Sequence, residues 1–305
     1  METKTMIISF TNDFIATDRF EREYEEEIRE GPEVREDIIR HGLVVNMFLD
    51  DVLIGECFGI SPSNYVLLVD KGQGFYHSEE DAIDDVDMYD RESVYVWSTT
   101  ILSQFRGMGY GKKLREEFAR YASYKGYAKL LGHATSQSMV NIITDLGGIF
   151  HEKGVHYDWF GTKRVAHFYT QFLPQTKEWN CGPFALAYLL EMKEHPYNIH
   201  DLEISLCTDP ERGTDPQYIE KFLAYKQIPF KSVGKKLEPN SIIDITVDTP
   251  EGKEGHWVTI IGASPGFHLW QVYDPDKGVV IYSEEFLQNR WYSVRYGKFL
   301  GFALL

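Results

Sequence analysis

The 305-residue chain carries 47 acidic against 31 basic side chains, a formal net charge of −16. This balance excludes nucleic acid or an anionic membrane surface as the main partner, because both need a basic footprint. Hydrophobic residues make up 43% of the chain and aromatic residues 14%, enough for substantial cores, and the length suits about two domains.

The opening Met1-Glu2-Thr3-Lys4 begins no secretory leader, and no apolar run reaches membrane-spanning length. Cys57, Cys181 and Cys207 are few and widely spaced, so neither a disulfide framework nor a metal cluster is expected. A cytoplasmic location fits that cysteine usage.

In chain order, 6–10 reads as a short strand and 18–40 as a charged helix broken at Gly31-Pro32. Two β-rich runs, 43–49 and 52–60, meet at Asp50-Asp51 as a hairpin. The acidic stretch 70–92 lacks the spacing and turn glycine of a calcium loop and reads as a solvated loop. A strand over 94–102 precedes an amphipathic helix over 109–126, with Leu114, Phe118 and Tyr121 on one face. A strand over 128–134 follows, then a helix over 138–146 stopped by Gly147-Gly148. Aromatic-rich segments 149–160 and 162–172 read as paired strands.

A seam near 170 divides the chain into domains 1–168 and 169–305. Beyond it, the apolar run 184–190 predicts a buried helix beginning at or just after Cys181. A second helix is expected over 216–226, and strands over 242–247, 256–263, 269–273 and 278–282. A helix followed by a sheet gives this half an α+β order.

Two motifs carry chemistry. The first is Gln104-Phe105-Arg106-Gly107-Met108-Gly109-Tyr110-Gly111, placed between a strand and a helix. Glycines at such a junction let backbone N–H groups converge on an anion, aided by the helix dipole. The motif, and the element order over about 5–165, resemble the GNAT (Gcn5-related N-acetyltransferase) acyltransferases. The resemblance implies an α/β fold with a mixed, mostly antiparallel central sheet and helices on both faces. It also implies acetyl-CoA or another acyl-CoA as cofactor. Arg106, Gly107, Met108, Gly109, Tyr110 and Gly111 would hold the pyrophosphate, and the backbone of Thr99, Thr100 and Ile101 would lie along the pantetheine arm. The sequence departs from the family where a Tyr protonates the departing thiolate. Ile143 stands at that position, Ser136 at a usual Asn and Gly148 at a usual aromatic. Tyr157, Tyr169 or Glu92 could substitute.

The second motif is Gln175 followed by Asn180-Cys181-Gly182-Pro183, with His256-Trp257-Val258 and Asp274-Pro275-Asp276 downstream. A thiol at a helix N-terminus sits near partial positive charge, which favours the nucleophilic thiolate. Such a nucleophile needs a base, a group to orient that base and donors for the oxyanion. His256 opening one strand and Asp274 ending its antiparallel neighbour would bring the last two together. The pattern over roughly 170–300 resembles the bacteriocin-processing peptidases (peptidase family thirty-nine) of the papain-like clan. By that resemblance Cys181 is the nucleophile, His256 the general base and acid, Asp274 the orienter and Gln175 an oxyanion donor. The other histidines show no ligand spacing, and Cys57 and Cys207 read as packing residues.

The combined expectation is a bifunctional protein joining acyl-CoA-dependent N-acyl transfer to a cysteine peptidase or amidase. Its partners would be peptides or amine-bearing small molecules. Two alternatives stand beside it. The first half could sense acyl-CoA and regulate the thiol site, or the thiol site could transfer its acyl group to an amine instead of water.

Overall fold

The computed structural model describes residues 7–13, 42–72, 75, 82, 86–159, 162–175, 177–250, 252–264, 268–293 and 296–305. The expected helix over 18–40 and the acidic clusters at 79–81 and 84–85 lie outside them. The chain divides into two compact units, Met1–Leu173 and Pro174–Leu305. The seam anticipated at 168/169 falls inside a strand that runs on to Phe172.

The first unit contains β1 (Ile8–Thr11), β2 (Leu43–Leu49), β3 (Val52–Ile60), α1 (Pro62–Asp70), β4 (Ser93–Ile101), α2 (Tyr110–Tyr124), β5 (Lys129–Ala134), α3 (Gln137–Asp145), β6 (Ile149–Trp159) and β7 (Thr162–Phe172). The strands form one sheet in the order β1-β2-β3-β4-β5-β7-β6, in which only β4 and β5 run parallel. Asp50 and Asp51 turn the β2–β3 hairpin with φ of 47° and 68°, the left-handed pair a tight two-residue hairpin requires. Leu114 and Phe118 of α2 are fully buried in a core with Val45, Cys57, Val94 and Val96. Tyr65 and Val66 of α1 pack with Phe58 and Tyr95 in a separate core. Tyr95 and Val96 are adjacent on β4, so the two cores occupy opposite faces of the sheet.

Two irregularities open this sheet. Opposite β3, Phe58 pairs with Ser98 but Gly59 pairs with Val96, so Trp97 is an extra residue in β4. The parallel pairing of β4 with β5 also stops at Val96 and Gly132. Beyond that point the strands part, and a cavity of about 700 Å³ lies along Trp97 to Ile101.

The second unit contains α4 (Cys181–Glu191), α5 (Ile199–Ser205), α6 (Pro216–Tyr225), β8 (Phe230–Ser232), β9 (Ser241–Thr249), β10 (Gly252–Ser264), β11 (Leu269–Asp274), β12 (Gly278–Ser283), α7 (Glu284–Arg290) and β13 (Gly301–Leu304). Its sheet, in the order β12-β11-β10-β9-β13-β8, is antiparallel throughout. Helix α4 is buried along its whole length, as a continuous apolar run demands. Thr259 of β10 donates a 2.7 Å hydrogen bond to the Ala185 carbonyl, fixing helix to sheet. His256 was expected to open its strand. Instead β10 starts at Gly252, and His256 lies within it, opposite Ile245.

Candidate active site

Cys181 is the first residue of α4, and a Cβ at the next position, Gly182, would collide with the Thr214 side chain. Glycine there lets the helix start sit close against the 208–214 segment, where Thr208 and Thr214 share a 2.8 Å hydrogen bond. Just before the helix, Asn180 is buried and donates to Glu203 at 2.9 Å. Lys177 donates to the same carboxylate.

Strands β10 and β11 deliver the other two groups. Thr259 pairs with Tyr273, so Asp274 at the end of β11 comes alongside His256. His256 Nε2 lies 3.0 Å from Asp274 Oδ1, and the imidazole also hydrogen-bonds Cys181. With Nε2 engaged by the carboxylate, Nδ1 is the nitrogen left for the sulfur. The Trp257 backbone N–H points at Cys181 Sγ from 3.5 Å, a contact with no signature in the sequence.

Asp274 is 1% exposed yet fully engaged. Its Oδ1 accepts from the Asp276 N–H at 3.0 Å, and its Oδ2 from Tyr282 at 2.6 Å and Lys277 at 3.1 Å. Tyr273 stacks on Tyr188 of α4 with ring centroids 4.1 Å apart, which holds this end of β11 against the helix carrying the thiol.

The electrostatics follow from these contacts. Burial works against a charge on His256, but hydrogen bonds to Asp274 and Cys181 outweigh it and push the imidazole up to about 10. Burial also works against the Asp274 carboxylate. The bonds from His256, Tyr282 and Lys277 nonetheless hold it well below the usual carboxylate range. The imidazole thus lies between a carboxylate and a sulfur, and its hydrogen bonds to both favour the protonated form.

Gln175 sits beside this cluster. Its backbone N–H donates to the Pro275 carbonyl at 2.7 Å, and its side-chain Nε2 donates to Asp276 Oδ1. Cys181, His256 and Asp274 are thus brought together, while the Gln175 amide is held by the neighbouring carboxylate. The ligand atoms of His256, Asp274 and Asp276 lie within 4.8 Å of one another. The Asp274 oxygens among them are already engaged by side-chain and backbone donors. Cys57 is buried in the first unit, as expected of a packing residue, but Cys207 is exposed rather than packed.

In the first unit, Gly107 and Gly109 take φ of 76° and 82°, which side chains rarely adopt, and Gly109 caps α2. Arg106 folds back to donate to the Ile101 carbonyl at 2.8 Å, tying the loop to the end of β4. The cavity is lined by Thr99, Thr100, Ile101 and Arg106. Among the described residues its lining includes Arg106, Arg115 and Arg164 and no Asp or Glu. Arg106, beside the glycine loop, fits a polyanionic cofactor. Ile143 is fully buried among Ala134 and Tyr169. Of the three residues that could replace it chemically, Tyr157 and Tyr169 line the cavity, and Glu92 is not among its lining residues.

Residues 170–295 match the model of the Peptidase C39 family. No curated protein matches the chain. The chain is similar to a putative acetyltransferase from Acinetobacter baylyi at 16% identity, with 56% of this chain and 95% of that one covered and a TM-score of 0.40. It is also similar to a putative acetyltransferase from Salmonella typhimurium, solved with acetyl-CoA, at 15% identity, 56% and 96% coverage and a TM-score of 0.39. A third is the polyamine N-acetyltransferase of Drosophila melanogaster, at 11% identity, 55% and 100% coverage and a TM-score of 0.42. No helix among the described residues is long and apolar enough to cross a membrane.

Proposed function

We propose that the chain is a two-site enzyme: a cysteine peptidase or amidase in the second unit and an acyl-CoA-dependent N-acyltransferase in the first. The observation that carries the hydrolase reading is His256 bridging Cys181 and Asp274 within one buried cluster.

In this reading Cys181 Sγ attacks the amide carbonyl of a peptide or amide substrate. The Cys181 backbone N–H and the Gln175 Nε2 meet the developing oxyanion, the latter after leaving Asp276. The C–N bond breaks as His256 gives its proton to the departing amine. Water, or a second amine in the transferase variant, then attacks the thioester. Its proton returns to His256, and the C–S bond breaks to release Cys181. Asp274 keeps the imidazole oriented throughout and stabilises its charged form before and after that exchange.

In the first unit, the glycine loop and Arg106 would hold the pyrophosphate of an acyl-CoA, and Thr99 to Ile101 its pantetheine arm. The cofactor would supply an activated acyl thioester. This chain's contribution is to position the cofactor along the stretch of β4 that leaves the parallel pairing. A second reading is favoured by Ile143, whose apolar burial leaves the usual proton donor of the resembled family missing. Here the first unit binds acyl-CoA without transferring it and regulates the thiol site.

Mass spectrometry of intact protein tests the hydrolase assignment, using a peptide vinyl sulfone and a Cys207→Ser background that removes the exposed thiol. One adduct lost in Cys181→Ala supports the assignment, and an adduct that persists overturns it. Calorimetry with acetyl-CoA and an amine panel separates transfer from sensing.

A further inference from the structure

Arg115 on α2 is 1% exposed and is one of the residues lining the cavity along β4. Its Nη2 donates to Tyr169 at 2.9 Å and reaches Gln171 Oε1 at 3.5 Å, and it also hydrogen-bonds Cys57. Cys57 in turn lies 3.3 Å from Thr99 Oγ1, on the stretch of β4 that borders the cavity. All three partners are neutral groups: a phenol, an amide and a thiol. Burial drives both the Tyr169 phenol and the Cys57 thiol upward, so neither supplies a negative charge near neutral pH. Among the described residues no carboxylate pairs with Arg115, and its Nε is buried without a hydrogen-bond partner. A guanidinium cannot shed its proton to relieve burial. A fixed buried cation without an anion is costly unless a ligand completes it.

Arg106 is tied to the carbonyl that ends β4, whereas Arg115 lies among Cys57 of β3, Thr99 of β4 and Tyr169 of β7. The two arginines therefore address different parts of the cavity. Resting on the acyl-CoA reading of that cavity, we infer that Arg115 is a specificity residue that receives a carboxylate. The carboxylate comes either from the far end of a dicarboxylic acyl group or from an amino-acid acceptor. The planar fork matches a carboxylate, with Nε as the vacant donor.

Calorimetry on the full chain tests this with coenzyme A, butyryl-CoA and succinyl-CoA, the last two differing by a methyl against a carboxylate. Wild-type protein should bind succinyl-CoA at least about tenfold more tightly than butyryl-CoA, the effect of one charge-assisted contact. Arg115→Gln should erase that preference and leave coenzyme A affinity unchanged. In a second arm, protein saturated with coenzyme A is titrated with alanine and with alaninamide. An Arg115-dependent preference for alanine alone places the carboxylate on the acceptor. Binding of coenzyme A with no preference in either arm overturns the inference. So does an Arg115→Gln variant that weakens all three coenzyme A ligands alike. Failure of coenzyme A itself to bind overturns the cofactor reading and this inference with it. The wild-type comparisons decide the matter even where the variant does not fold.

Discussion

Tyr282 and His256 hold opposite oxygens of a single buried carboxylate. The Tyr282 hydroxyl donates to Asp274 Oδ2 at 2.6 Å, while His256 Nε2 lies 3.0 Å from Oδ1. A tyrosine on β12 thereby fixes the carboxylate that fixes the imidazole that faces the sulfur. Removing its hydroxyl in Tyr282→Phe should cost about 1–2 kcal/mol of stability, the range for losing one partner of a buried acceptor. It should also slow vinyl-sulfone labelling of Cys181 several-fold. Thermal unfolding and labelling kinetics measure the two effects, and an unchanged labelling rate would show that Lys277 and Asp276 suffice to hold the carboxylate.

Asp274→Asn should be more severe, because it leaves a buried imidazolium without its counter-charge, a loss of about 3–5 kcal/mol. The pH dependence identifies the cause. His256 is raised from an ordinary value near 6.5 to about 10. Its contribution is therefore complete below the unfolded value and fades as pH climbs through the folded one. Asp274 is depressed, so its contribution is present above the ordinary carboxylate range and fades as pH falls. Wild-type stability from this pair should be greatest from mildly acidic to near-neutral pH and decline into the alkaline range. In Asp274→Asn, unfolding temperature followed against pH should lose that alkaline decline. A decline of the same depth in the variant would mean another group titrates.

Gln175→Ala separates a catalytic amide from a structural one. If Gln175 stabilises the oxyanion, acylation of Cys181 by an activated amide or ester should fall by about 10²–10³. Simple alkylation, which develops no oxyanion, should hardly change. Equal slowing of both reactions would indicate that the residue serves only to brace Asp276.

Gly109→Ala forces a side chain into the left-handed region at the start of α2, costing about 1–2 kcal/mol. Together with Arg106→Ala it should weaken coenzyme A binding by at least about tenfold, the loss of one charge-assisted contact to phosphate plus a displaced loop. Unchanged calorimetric affinity would remove the pyrophosphate assignment.

Much of this architecture is legible in the sequence because period and punctuation carry it. The Asp50-Asp51 hairpin, the stop of α3 at Gly147 (φ 79°) and the start of α4 at Cys181 each follow from local rules. The meeting of His256 with Asp274 follows from two adjacent strands joined by a short connection. What stays hidden depends on long-range packing. Tyr282 and Lys277 on Asp274, and the Trp257 N–H on the sulfur, depend on where neighbouring strands place their atoms. Arg115 shares the buried stripe of α2 with Phe118 and Ala119, but its partners Cys57, Tyr169 and Gln171 come from distant strands. Cys207 looks apolar between Leu206 and Thr208, but it follows the end of α5 at a positive φ of 47° and faces outward.

The extra residue at Trp97 also acts as a parity switch. Before it, Val94 and Val96 point toward α2; after it, Thr99 and Ile101 do. A strand of the same length that kept strict alternation through Trp97 would turn Ser98 and Thr100 toward α2 instead, moving Thr99 away from Cys57 and presenting a different set of atoms to whatever enters. The bulge at this one position therefore sets which side chains of β4 form the cavity wall.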